Sequence, residues 1–191
     1  MKLEPLHLTA GRFYLRPPEQ ADHGAIAEAL RDTDILRWNA GIKMAAAPES
    51  ERADMWLRLR AQGWTAGHAA YFVVLDVTTG ELLGTVGIRD INRVPQQGLS
   101  SYWTVAAARG RGVAAAALET VSSWAQAPVE YGGLGLIRLS LDHAVGNPAS
   151  CRVAEKSGYA FEGVMRASFL DPGGVRHDSH LHARIADLPA R

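Results

Sequence analysis

The sequence predicts an α/β domain: a mixed sheet with helices packed on it. Three observations carry that expectation. Short β-rich runs alternate with segments of helical periodicity. Two of those runs flank the tight turn Thr78-Thr79-Gly80-Glu81, the mark of an antiparallel hairpin. Later a strand, a helix and a strand succeed one another between residues 99 and 144, the order of a single β-α-β crossover. At 191 residues with one cysteine, the chain can bury a core without disulfides, and its length suits one domain over 1–191.

The elements follow in order. Phe13 to Arg16 reads as a first strand, stopped by Pro17-Pro18. Glu19 to Arg31 reads as a helix, with Ala25, Ile26, Ala29 and Leu30 at helical spacing. Pro48 opens a second helix that runs to about Arg60 and is expected to stop at Gly63. Ala69 to Val77 and Leu82 to Ile91 are the hairpin strands, and Leu99 to Val105 is another strand. Gly112 to Gln126 is a helix with Leu118, Val121 and Ala125 on one stripe. Leu136 to Ala144 is a strand. Pro148 to Ser157 is a helix between the cap Asn147 and the stop Gly158. Tyr159 to Arg166 and Val175 to Ile185 are closing strands, joined by Asp171-Pro172-Gly173-Gly174.

Charge narrows the function classes. Twenty basic residues balance twenty acidic ones. A broad electrostatic grip on nucleic acid or an anionic membrane is therefore not expected. One cysteine excludes an internal disulfide framework and a multi-cysteine zinc site. Met1 to Thr9 has no apolar core of the signal-peptide kind, and no apolar run approaches the roughly 20 residues of a spanning helix. The expectation is a cytoplasmic protein, monomeric or homodimeric.

The most informative segment is Arg109-Gly110-Arg111-Gly112-Val113-Ala114, between the strand ending Tyr102-Trp103-Thr104-Val105 and the following helix. Glycines let the backbone approach a ligand, and helix-start N–H groups favour an anion. Arg109 and Arg111 add guanidinium donors suited to phosphate oxygens. Three readings compete: a plain turn with solvated arginines, a dinucleotide fingerprint (Gly110-x-Gly112-x-x-Ala115) of a nicotinamide oxidoreductase, and a pyrophosphate cradle for coenzyme A. The fingerprint expects a parallel β-α-β sheet, whereas antiparallel hairpins precede this loop.

A second segment, Asn147-Pro148-Ala149-Ser150-Cys151-Arg152-Val153-Ala154-Glu155-Lys156-Ser157-Gly158-Tyr159, adds to the third reading. Together, the R-x-x-G-x-A loop and this N-x-x-S…E-K-x-G-Y segment resemble the motifs of the GNAT-fold N-acetyltransferases. The ending Glu162-Gly163-Val164-Met165-Arg166 to Asp171…Asp178 is similar to the branch that acetylates N-termini of ribosomal proteins, and to its small-molecule relatives. The resemblance covers essentially the whole chain. It implies a mostly antiparallel sheet with a central splay between strands 99–105 and 136–144. Acetyl-CoA would be the co-substrate, with no metal, and the acceptor a primary amine on a small molecule or a protein N-terminus. It assigns the cofactor to Thr104, Val105, Arg109, Gly110, Arg111, Gly112, Val113, Ala114, Asn147 and Ser150. Thr104 and Val105 would pair with the pantetheine arm. Asn147 would contact the cofactor or only cap its helix. Ser150 would protonate the departing thiolate or only serve as first-turn polarity. Trp38, Asn39 and Tyr102 would line the acceptor, against the alternative of a core Trp38.

The chain also departs from the family pattern. Many relatives carry E-x-G-Y-W before the phosphate loop. Here the segment is Leu99-Ser100-Ser101-Tyr102-Trp103, so that glutamate is absent. Asp90 is the first substitute as base, with Asp142 and His143 behind it. Without a strong base, an acceptor of low pKa is expected. Lysine at about 10.4 costs roughly 3.5 kcal/mol more to deprotonate than an α-amine at about 7.8. Cys151 begins a helix, which allows an acyl-enzyme, but a buried structural thiol is the preferred reading. His177, Asp178, His180 and His182 have a metal-like composition, with 178, 180 and 182 on one strand face, yet no metal is expected. An acyl-CoA-binding regulatory module without turnover is the non-enzymatic alternative.

Overall fold

Residues 3–187 are described by a computed structural model. β1 (Leu8–Ala10) and β2 (Phe13–Arg16) form a short hairpin. Four helices follow: α1 (His23–Ala29), α2 (Thr33–Trp38), α3 (Gly41–Ala46) and α4 (Glu49–Ala66). Then come β3 (Ala70–Asp76), β4 (Leu82–Arg89), β5 (Gln97–Thr104), α5 (Val113–Gln126), β6 (Arg138–Ala144), α6 (Pro148–Lys156), β7 (Ala160–Leu170) and β8 (Arg176–Ile185). The strands make one sheet in the order β1-β2-β3-β4-β5-β6-β8-β7. Every neighbouring pair is antiparallel except β5 with β6.

The central strands are apolar on both faces because both are covered. On β3, Phe72 and Val74 face the cluster built with Val113, Leu118 and Val121 of α5. Val73 and Leu75 face the opposite cluster, with Ile26, Leu30, Trp56 and Leu57 of the helical segment. The period-2 alternation of a strand thus serves two cores at once, which a continuous apolar run permits. The β3–β4 hairpin closes as expected, with Gly80 left-handed at φ 71° and the Asp76 carboxylate accepting from Thr78 N at 2.9 Å.

Three expectations are corrected. The helix expected over 19–31 is a 3₁₀ turn at Gln20–Asp22 followed by α1. Gly63 does not stop α4; the helix ends at left-handed Gly67. Gly63 is an interior contact, where a Cβ would meet that of Ala69 at 3.0 Å. β1, α2 and α3 were not foreseen. Each has six residues or fewer, too short to show a period.

The feature that positions the site is the limited contact between β5 and β6. They pair in parallel only at Gln97↔Arg138, Gly98↔Leu139 and Leu99↔Ser140. Beyond these residues the strands diverge. The root of the gap is pinned by Tyr159, which is 1% exposed. Its hydroxyl lies 2.7 Å from Ser100 Oγ on β5 and 2.6 Å from Ser122 Oγ on α5. Burial pushes this phenol upward in pKa, so it stays protonated. Tyr159→Phe leaves both serine hydroxyls buried without this partner. It is expected to lower stability by about 1–3 kcal/mol in urea denaturation; an unchanged midpoint would contradict the pin.

Candidate active site

The loop after β5 is built to leave its amides open. Gly110 and Gly112 sit at φ 75° and 79°, and a Cβ built on either would have no atom within 4 Å. Gly112 is the N-cap of α5. Arg109 N bonds Ala106 O at 3.2 Å, and Ala116 N bonds Gly112 O at 3.1 Å. Between them, the N–H groups of Gly110 to Ala115 find no hydrogen-bond partner among the described residues. Six consecutive donors at the positive end of a 14-residue helix make an anion cradle.

The gap between β5 and β6 leads away from this cradle. Val105 N donates to Leu83 O of β4 at 3.0 Å. Backbone direction alternates along a strand, so Thr104 and Tyr102 turn their N–H and C=O groups to the opposite edge, which β6 has left. Thr104 therefore presents free main chain to an extended ligand. The amide of Val105, expected to do the same, is already engaged with β4.

A cleft of about 380 Å³ joins cradle and gap. One wall is α2 with Asn39, another is one face of α6 from Ala149 to Lys156, and β5 forms the floor. Arg109 lines it but is held across the mouth, 2.5 Å from Asp32 and 3.2 Å from Asp34. Arg111 is turned away toward Asp76 at 3.8 Å and does not line the cleft. Two cations that sequence reasoning missed do line it: Arg152 and Lys156. Their i, i+4 spacing on α6, in step with Ala149 and Val153, was the available signal.

A smaller cavity of about 50 Å³ continues between the diverged strands, lined by Ser100, Ser101, Leu141, Asp142 and His143. Trp38, Asn39, Tyr102, Asn147 and Ser150 line both spaces, so they mark the junction. There the Tyr102 hydroxyl lies 2.6 Å from Ser150 Oγ and 3.3 Å from Ser150 O. Burial drives the Tyr102 phenol far up, outweighing the Ser150 hydrogen bond that favours ionisation. It therefore keeps its proton at neutral pH. The Asn147 side chain makes no capping hydrogen bond and is left to the cleft. Trp38 is a half-buried wall, packed on Phe169 at 5.7 Å between ring centroids and under the Arg37 guanidinium at 4.4 Å.

Other expected residues are not brought to the junction. Asp90 sits just past β4 at φ 53°, paired with Arg89 at 2.7 Å, and lines neither cavity. Its carboxylate is not positioned as a base. Asp142 is the carboxylate on the smaller cavity. His177 and Asp178 do not converge with the other histidines: His177 bonds Asp171 at 2.9 Å, and Asp178 accepts from Ala167 N at 2.8 Å. Burial and Glu155 push the Cys151 thiol up, which opposes an acyl-enzyme.

Comparison with known proteins matches this architecture. Among solved structures, the RimL ribosomal L7/L12 alpha-N-protein acetyltransferase in complex with coenzyme A superposes with TM-score 0.78 at 18% identity, covering 96% of this chain and 99% of that one. The ribosomal-protein-S5-alanine acetyltransferase from Vibrio fischeri gives 0.77 at 21% identity, covering 95% and 97%. The microcin C7 self-immunity acetyltransferase MccE, bound to acetyl-CoA and AMP, gives 0.78 at 18%, covering 96% and 98%. No curated protein matches by sequence. At these identities the superpositions speak for the fold. The family model of the acetyltransferase (GNAT) domain matches residues 12–160. The chain therefore belongs to the GNAT acetyltransferases, enzymes that move an acetyl group from acetyl-CoA to an amine.

Proposed function

We propose that the whole chain acts as one domain that acetylates an α-amino group, on a polypeptide N-terminus or on a small molecule bearing the same group. The observation that carries the cofactor side is the run of six unpartnered amides opening onto the gap between β5 and β6. The diphosphate lies on Gly110 to Ala114, and the pantetheine arm runs along Thr104. Asn147 meets the arm from α6. The thioester then reaches the junction, where Tyr102 and Ser150 meet. The amine enters through the smaller cavity, and Asp142 draws it there as an ammonium ion. It loses one proton to water and attacks the carbonyl; the nitrogen of the tetrahedral adduct then gives a second proton to water, and the thiolate leaves with a proton from the Ser150–Tyr102 pair, which solvent restores.

The acceptor follows from what the site lacks. No glutamate stands at Leu99, and Asp90 is engaged elsewhere. An α-amine needs no strong base at neutral pH, whereas a lysine does. Of the structurally related enzymes, RimL acts by its name on a protein α-amino group, and the Vibrio fischeri enzyme on alanine of ribosomal protein S5. Peptides offering only a free N-terminus, or only a free lysine, test this. Faster acetylation of the N-terminus is expected, and a lysine preference would refute it.

The cations on α6 give a second test. Arg152→Ala and Lys156→Ala should each raise the KM for acetyl-CoA by about 3–10-fold with kcat nearly unchanged, and salt should shrink the difference. A fall in kcat alone would place them elsewhere in the reaction. The nicotinamide alternative loses its footing because the fingerprint needs a parallel sheet, and only β5 and β6 are parallel here. Among the described residues, no helix is long and apolar enough to cross a membrane.

A further inference from the structure

Two of the three histidines of β8, His180 and His182, take no part in the acetyl site; His182 is buried and His180 half-buried. They turn under α6, where they meet residues far apart in sequence. His143 of β6 is the register partner of His180, and Leu141 that of His182. Cys151, in the first turns of α6, closes over them. Its Sγ lies 3.4 Å from His180 Nδ1 and 3.5 Å from His182 Nε2. Each of the four residues offers a donor atom within 4.8 Å of the others.

We propose that His143, Cys151, His180 and His182 form a zinc site that clamps α6 onto β6 and β8. Zn–S and Zn–N lengths of about 2.3 and 2.0–2.1 Å put a tetrahedral S···N edge at about 3.6 Å, close to both observed separations. His143 is 7% and His182 0% exposed. His143 Nε2 is nevertheless buried without a hydrogen-bond partner. The Nδ1 of His143 faces the Ala144 carbonyl at 2.9 Å, so Nδ1–H donates there and the Nε2 lone pair is directed into the cluster. That is the outer hydrogen bond a metal-binding imidazole ordinarily makes. A soft thiolate with three imidazoles selects zinc or a similar transition metal over calcium or magnesium, which need oxygen donors.

The ligand set is complete at four, so no position is left open for water or substrate. The ion is structural, in keeping with an acetyl transfer that needs no metal. Binding is balanced by one proton: the Cys151 thiol releases H⁺ as its sulfur bonds Zn²⁺. Ser150 and Asn147 lie on the same end of α6, so the clamp fixes the segment that meets the cofactor. The multi-cysteine sites that one cysteine excludes are a different class. This site is assembled from two strands and a helix, which no local spacing reveals.

The test uses tag-free full-length protein, since a histidine tag would bind metal itself. The protein is stripped with a chelator, loaded with Co²⁺ and desalted. One equivalent is expected to remain, with intense visible bands of a tetrahedral ion and a near-ultraviolet thiolate-to-cobalt band. Zn²⁺ should displace it and raise the thermal midpoint. Cys151→Ser, isosteric enough to keep the fold as checked by circular dichroism, should lose the thiolate band and the zinc-induced thermal shift. His180→Asn should reduce retention at least 10-fold. Failure to retain cobalt, weak octahedral bands, or a thiolate band that survives Cys151→Ser would each overturn the site. None of these readouts depends on acetyl transfer.

Discussion

Gly112→Ala is expected to raise the dissociation constant for coenzyme A at least 10-fold in calorimetric titration, and Gly112→Val to abolish measurable binding. Gly112 holds φ 79° as the N-cap of α5. A side chain in that left-handed conformation costs roughly 1–2 kcal/mol, more when β-branched. A Cβ there has open space in the free protein, with no atom within 4 Å. It therefore meets nothing until a diphosphate approaches the amides. Strain and obstruction can be separated by a control. Gly80 has φ 71° and the same open surroundings, but it lies in the β3–β4 turn. Gly80→Ala should lower thermal stability by a similar amount and leave coenzyme A affinity unchanged. Equal loss of affinity in both variants, or none in either, would remove the cradle from the binding site.

That cradle was legible in the sequence because its signal is local. R-x-x-G-x-A between a strand and a helix states the glycines, the helix start and the anion preference within six residues. The longer elements were legible for similarly local reasons: α5 by its apolar stripe, α6 by its cap and stop residues, and β3 and β4 by β-rich runs flanking a tight turn. What escaped depends on contacts between distant segments. α2 buries only Ile35, and its start is set by the Asp32 carboxylate accepting from Asp34 N at 2.9 Å. Arg109 and Arg111 looked alike in sequence, yet the fold places Asp32 and Asp34 by one and Asp76 by the other. Asp90 was a reasonable substitute base by position along the hairpin. The positive φ at Asp90 and the adjacent Arg89 turned it out of reach. The histidines of β8 were visible as a group, but their partners on β6 and α6 were not.

The chemical step has its own expected result, in a double-mutant cycle on Tyr102 and Ser150. Tyr102→Phe and Ser150→Ala should each lower kcat by about 10²-fold, the range typical of general acid catalysis, with little change in the KM for acetyl-CoA. Together they should cost scarcely more than either alone, because the 2.6 Å hydrogen bond makes them one proton-donating unit. The chemistry requires a protonated phenol; Tyr102 is protonated at neutral pH even at the ordinary tyrosine pKa, and burial raises it further. Developing charge on the thiolate would then draw a proton from the Ser150 hydroxyl as Tyr102 replaces it and solvent restores the phenol. If the acid acts this way, an acetyl donor with a leaving thiol of low pKa should rescue both variants, since a weakly basic thiolate departs without protonation. Additive losses would show two independent roles. Losses confined to KM would make the pair a binding contact, and the acid would have to be sought among the water molecules of the cleft.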